Sequence, residues 1–119
     1  MTLQEMLDMQ DKFQLRLGID FMLMPIEERV AYIKEHTLHL TQEMHECLHE
    51  LPYFKPWKNY GNMTDEEIQN AFKAAKEELI DAWHFFMNIM LALDFDAELL
   101  SNMYLDKHQE NNARQDRGY

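Results

Sequence analysis

Basic residues are scarce in this chain. Eleven Lys and Arg stand against twenty-two Asp and Glu in 119 residues, a formal net charge of −11. Polymeric nucleic acid is held by basic patches, so it is excluded as a partner. A single nucleotide is not, because bound divalent cations reverse the local sign of the field. Cysteine is almost absent: Cys47 stands alone, which rules out an intrachain disulfide and points to a reducing cytoplasm. No basic region followed by an apolar run opens the chain, so no signal peptide is expected. The longest apolar run, residues 85–93, is broken by Asn88 and is too short to span a bilayer, which argues against a membrane partner.

What is present is apolar and helical. Forty-six per cent of the residues are hydrophobic, with two tryptophans and ten methionines. That composition suits a packed globule whose flexible thioethers fill irregular gaps between helices. A chain of this length folds as one domain, 1–119, burying about two thirds of its unfolded surface. A helical chain this rich in apolar residues is expected to complete its core as a homodimer, with a dimer of dimers as the larger alternative.

Four or five helices and no strand are expected. Thr2 with Glu5 is a capping-box pattern opening a helix over 2–17, which Gly18 ends. Pro25, with Glu27 and Glu28 behind it, opens a second helix that reaches Leu51 before Pro52, with a kink or break near Thr37. Residues 52–62 carry Tyr53, Phe54, Trp57 and Tyr60 and read as an ordered loop. Thr64 and the acids after it start a long helix to Leu93. A shorter helix begins at Asp96 and passes Leu99 and Tyr104. From Asp106 the chain reads as a polar tail, 106–119.

Two carboxylate pairs organise the rest. Glu43 and Glu46 on the second helix, and Glu78 and Asp81 on the third, each sit at i, i+3 and so project from one face. They lie beside apolar positions (Met44, Cys47 and Leu48; Leu79, Ile80, Ala82 and Trp83), where carboxylates need a partner. Four such groups facing each other across antiparallel helices repel unless cations sit between them. Hard oxygen ligands suit Mg²⁺, with Mn²⁺ as the alternative. A competing pattern exists in Glu46-x-x-His49 and Asp81-x-x-His84, the acid-x-x-His spacing of di-iron bundles. His36, His39, His45 and His49 otherwise read as solvated or capping residues.

Glu-x-x-Glu followed by Glu-x-x-Asp on the next long helix resembles the all-α nucleoside triphosphate pyrophosphatases, which include MazG-like proteins and the dimeric dUTPases. Three further segments resemble the dUTPase branch. They are 6–13 around Gln10, the aromatic segment 54–58, and the carboxy-terminal Lys107-x-x-x-Asn111-x-x-Arg114-Gln115-x-x-Gly118-Tyr119. The resemblance implies a helical bundle of the MazG/dimeric dUTPase type. It implies metal ligands at Glu43, Glu46, Glu78 and Asp81, holding two or three ions. It further implies base contacts from Gln10 and Trp57, phosphate contacts from Lys107, Asn111 and Arg114, and Tyr119 packing near the sugar or phosphates. The implied reaction is hydrolysis of a deoxynucleoside triphosphate to monophosphate and pyrophosphate, with Glu46, seconded by Glu43, as the proton acceptor. Expected substrate is dUTP, with dCTP or a purine dNTP such as dGTP as the alternative. Gln14 departs from the branch, which usually has asparagine there. Outside this chemistry, a di-iron bundle and a non-enzymatic helical dimer are the remaining alternatives.

Overall fold

The computed structural model describes residues 1–118. It is all-α, with four helices in the order α1 (Leu3–Arg16), α2 (Ile26–His49), α3 (Asp65–Ala92) and α4 (Ala97–Asp116). The capping box at the start of α1 is formed: the Thr2 amide donates to Glu5 Oε2 at 2.8 Å and the Glu5 amide to Thr2 Oγ1 at 3.1 Å. Gly18 ends the helix at φ +86°, with the Ile19 amide bonded back to the Gln14 carbonyl at 2.9 Å. That left-handed turn is costly for any residue with a Cβ. Asp94 ends α3 in the same way at φ +62°, and Arg29 holds it through a 2.9 Å ion pair that ties the start of α2 to the end of α3.

Two expectations are corrected. Helix α2 runs unbroken through Thr37. Its hydroxyls are absorbed by the helix itself: Thr37 Oγ1 donates to the Ile33 carbonyl at 2.7 Å, and Thr41 Oγ1 to the Thr37 carbonyl at 2.9 Å. The segment read as a polar tail is helical as far as Asp116. No Gly or Pro interrupts residues 97–116, and Glu110 pairs with Arg114 at 3.3 Å and Arg117 at 2.8 Å on the same exposed face.

The pair α2 and α3 forms the spine, and α1 packs across α3. One core cluster joins Leu7 to Met87 and Met90, with Leu3, Met6, Trp83 and Leu100 around it. A second joins Phe21, Tyr32 and Ala92, and Leu91 touches both. Among the described residues Leu7 is the one large side chain closed off completely, at 1 % exposure. Leu7→Ala is therefore expected to cost about 3 kcal/mol and lower the melting temperature by roughly 10 °C or more in a thermal melt.

Candidate active site

A cleft of about 1400 Å³ lies between α1, α2 and α3. Gln10 and Gln14 line it from α1, Tyr32, His36 and Glu43 from α2, and Asp81, Phe85 and Asn88 from α3. Its two ends differ in chemistry. His36 and Glu43 are seven residues apart on α2, and Asp81 and Asn88 seven apart on α3. Each interval is roughly 10 Å along a helix. One end is therefore acidic, the other built from amides and aromatic rings.

At the acidic end, oxygens of Glu43, Glu46 and Glu78 lie within 4.8 Å of one another. The i, i+3 spacing on α2 and the packing of α3 against it bring these three together as expected. Asp81 lines the same cleft and acts on Glu43 and Glu78 through its charge. Desolvation first, and then Glu46, Glu78 and Asp81, push the Glu43 carboxyl up to about 7. Glu78 is raised too, again by desolvation first and then by its acidic neighbours, although a hydrogen bond from Glu43 opposes the shift. One proton shared between carboxylates accounts for both directions.

Glu43 Oε2 is buried with no hydrogen-bond partner. Among the described residues no Lys or Arg pairs with these four acids. A buried carboxylate oxygen in a cluster of acids, with no cationic side chain to meet it, fits a divalent cation bound by oxygen ligands. The di-iron pattern is not assembled: no group of three ligand atoms among the described residues includes a histidine. His49 Nδ1 lies 2.8 Å from the His45 carbonyl, while His84 lines the cleft without joining the acids.

At the other end, Gln10 Nε2 donates to Asn88 Oδ1 at 2.9 Å, and Asn88 Nδ2 lies 3.2 Å from His36 Nδ1. Tyr32 Oη donates to Gln14 Oε1 at 2.8 Å. Gln14 and Asn88 are buried. The Tyr32 and His36 rings stack at 3.8 Å. Burial raises the Tyr32 hydroxyl well above the ordinary phenol value, so it is protonated. Burial, then His39, lowers His36, with Glu35 opposing. His36 is thus part of the cleft wall and not a solvated residue. Asn88 is a cleft residue that the sequence alone did not single out. Its signal was a lone amide in the most apolar stretch of the chain.

Not every expected site residue is in the cleft. Trp57 is 80 % exposed, in the segment 51–63 between α2 and α3. Lys107, Asn111 and Arg114 lie on the exposed C-terminal half of α4 and do not line the cleft. Tyr119 lies outside the described residues.

Comparison with known proteins places this helical chain in a family. The model of the dUTPase family matches residues 2–97. The chain belongs to the dUTPase family. It is also 36 % identical to the dCTP pyrophosphatase of Enterobacteria phage LZ5, over 98 % of this chain and 82 % of that one. Identity to the dCTP pyrophosphatase of Enterobacteria phage T4 is 29 %, with the same coverage. No solved structure matches. As a member of this family the chain is a nucleoside triphosphate diphosphatase of the all-α type, and hydrolases of the family use a divalent metal. Helix α4 beyond Ala97 lies outside the family match but within the reach of both phage relatives. None of the four helices is long and apolar enough to cross a membrane.

Proposed function

We propose that this chain hydrolyses dCTP to dCMP and pyrophosphate. One observation supports the reading above the others. An acidic end, lined by Glu43 and Asp81, and an amide-lined end share one cleft about 10 Å apart, on the scale that separates a nucleobase edge from a triphosphate. The expected preference for dUTP gives way to dCTP because both phage relatives are dCTP pyrophosphatases. Gln14, where the dUTPase branch usually has asparagine, is consistent with that shift.

Glu43, Glu46, Glu78 and Asp81 would hold two or three Mg²⁺ ions. Bound there, the metal would neutralise the triphosphate and lower the pKa of a water. Glu46 is exposed at the edge of the cluster, where water reaches it, and we assign it the proton from the attacking water. Glu43, deeper in the cleft, is the second acceptor. Without metal the acids repel the substrate's phosphates, so the cleft admits a nucleotide only with its cation. Gln10 reads the base. Phe85 offers a ring face beside it, and Trp57 joins the base if the segment 51–63 folds inward. Lys107, Asn111 and Arg114 contact phosphates when α4 reaches a cleft.

A single copy leaves much apolar surface uncovered. Phe72, Leu79, Ile80 and Phe86 of α3 and Leu99, Met103 and Tyr104 of α4 are exposed, and α4 buries no residue. The radius of gyration is 18.5 Å, against about 13.5 Å for a compact domain of this length. These features support a homodimer. Kinetics on dCTP, dUTP, dATP and dGTP with Mg²⁺ test the base. The expected kcat/KM for dCTP exceeds that for dUTP by at least about tenfold, ~1.4 kcal/mol in the transition state. A faster reaction with dUTP contradicts the assignment.

A further inference from the structure

The amide end of the cleft holds its hydrogen bonds in a fixed order. An amide nitrogen only donates, so Asn88 Nδ2 at 3.2 Å from His36 Nδ1 makes that ring nitrogen an acceptor and leaves the ring proton on Nε2. With its nitrogen committed to His36, Asn88 turns its oxygen to Gln10, whose Nε2 donates to it at 2.9 Å. Gln10 Oε1 is then the amide atom left to meet a ligand. The two ends of an amide are alike in size, so only such a partner chain decides which one faces a base. Asn88 is 3 % exposed, so its amide is satisfied by these two side chains and not by bulk solvent. Burial and the neighbouring His39 disfavour the charged form of His36, in which Nδ1 would donate and the whole order would reverse.

We propose that His36 is a positioning residue for base selection: acting through Asn88, it holds the Gln10 amide with its oxygen toward the ligand, so that the cleft selects a base carrying an exocyclic amine. Cytosine presents an amine where uracil presents a carbonyl, and in this orientation the carbonyl would face the Gln10 oxygen across the contact. The inference rests on the reading of this cleft as the site of dCTP hydrolysis. It adds the residues that set the preference, two of which never touch the base. The Tyr32 hydroxyl likewise fixes a second amide: it occupies Gln14 Oε1 and leaves Gln14 the donor Nε2.

The test is steady-state kinetics of the full chain with Mg²⁺ on dCTP and dUTP, for wild type, His36→Phe, Asn88→Asp and the double variant. Phenylalanine keeps the ring beside Tyr32 and Phe85 and removes the Nδ1 acceptor. The expected result for His36→Phe is at least a tenfold fall in the dCTP-to-dUTP ratio of kcat/KM, with a melting temperature close to wild type. Aspartate at 88 offers Gln10 only acceptor oxygens and needs no histidine to orient it, so adding His36→Phe to Asn88→Asp leaves the ratio unchanged. A purely structural role for His36 slows both substrates alike and preserves the ratio, which overturns the proposal. If Asn88→Asp does not fold, the ratio in His36→Phe decides alone. A wild type that prefers dUTP, or hydrolyses neither, overturns the dCTP reading and this inference together. A dCTP-preferring wild type whose ratio His36→Phe does not move overturns this inference only.

Discussion

Glu43→Gln is expected to cut turnover by about three orders of magnitude and, in metal-free protein at pH 8, to raise the melting temperature. The loss follows from position. Glu43 sits between Glu46, Glu78 and Asp81, and one of its oxygens is buried without a partner. Glutamine keeps the volume but removes the charge that holds a cation. A metal's stabilisation of transition-state charge is several kcal/mol, and ~4 kcal/mol corresponds to about 10³ in rate. The gain in stability follows from the same crowding. Folding raises the Glu43 carboxyl from 4.5 to about 7. The folded chain therefore binds that proton more tightly than the unfolded chain does. Stability is undiminished below pH 4.5, falls as pH rises through 7, and is lowest above it. Glutamine removes that pH dependence. Discounted for the solvent on the open side of the cleft, the gain at pH 8 is about 1 kcal/mol, or roughly 4 °C. Activity assays paired with melts at pH 5 and pH 8 check both halves. A variant that keeps a tenth of its turnover, or that melts lower than wild type at pH 8, contradicts this placement of the metal site.

Chelation of divalent cations is expected to abolish hydrolysis reversibly. Adding Mg²⁺ back at a hundred times its dissociation constant is expected to raise stability at pH 8 by ~2.7 kcal/mol, or roughly 10 °C. The acids that repel one another in the metal-free cluster become ligands, so the gain should shrink as pH falls toward 4.5 and Glu43 keeps its proton. Differential scanning calorimetry with and without Mg²⁺ at the two pH values measures it. A melting temperature indifferent to Mg²⁺ at pH 8 leaves the acids with no cation to explain them.

Local chemistry was legible in the sequence; contacts between distant residues were not. The Thr2–Glu5 capping box, the left-handed Gly18 and the Thr64 cap act within a few residues, so their meaning survives without the fold. The i, i+3 carboxylates belong to the same class, because a helix fixes their common face. Thr37 misled because the pattern of apolar positions slips there, yet a threonine that bonds its own i−4 carbonyl costs the helix little. The α4 extension was missed for a related reason: polar composition reads as tail, while i, i+4 pairs such as Glu110–Arg114 keep a polar helix formed. The amide end could not be assembled in advance. Gln10 bonds to a residue 78 positions away, His36 to one 52 away and Tyr32 to one 18 away. Such pairings depend on how α1, α2 and α3 pack together. Apart from Gln10, the nucleotide contacts that resemblance suggested, Trp57 for the base and the α4 group for the phosphates, sit outside the cleft of one copy, and no local pattern reports that.

The most direct test of the central claim is the identity of the products. Phosphorus NMR of dCTP incubated with the chain and Mg²⁺ should show pyrophosphate and dCMP appearing in equal amounts, with no dCDP and no free phosphate. Release of dCDP with inorganic phosphate, or an unchanged triphosphate, would contradict the account.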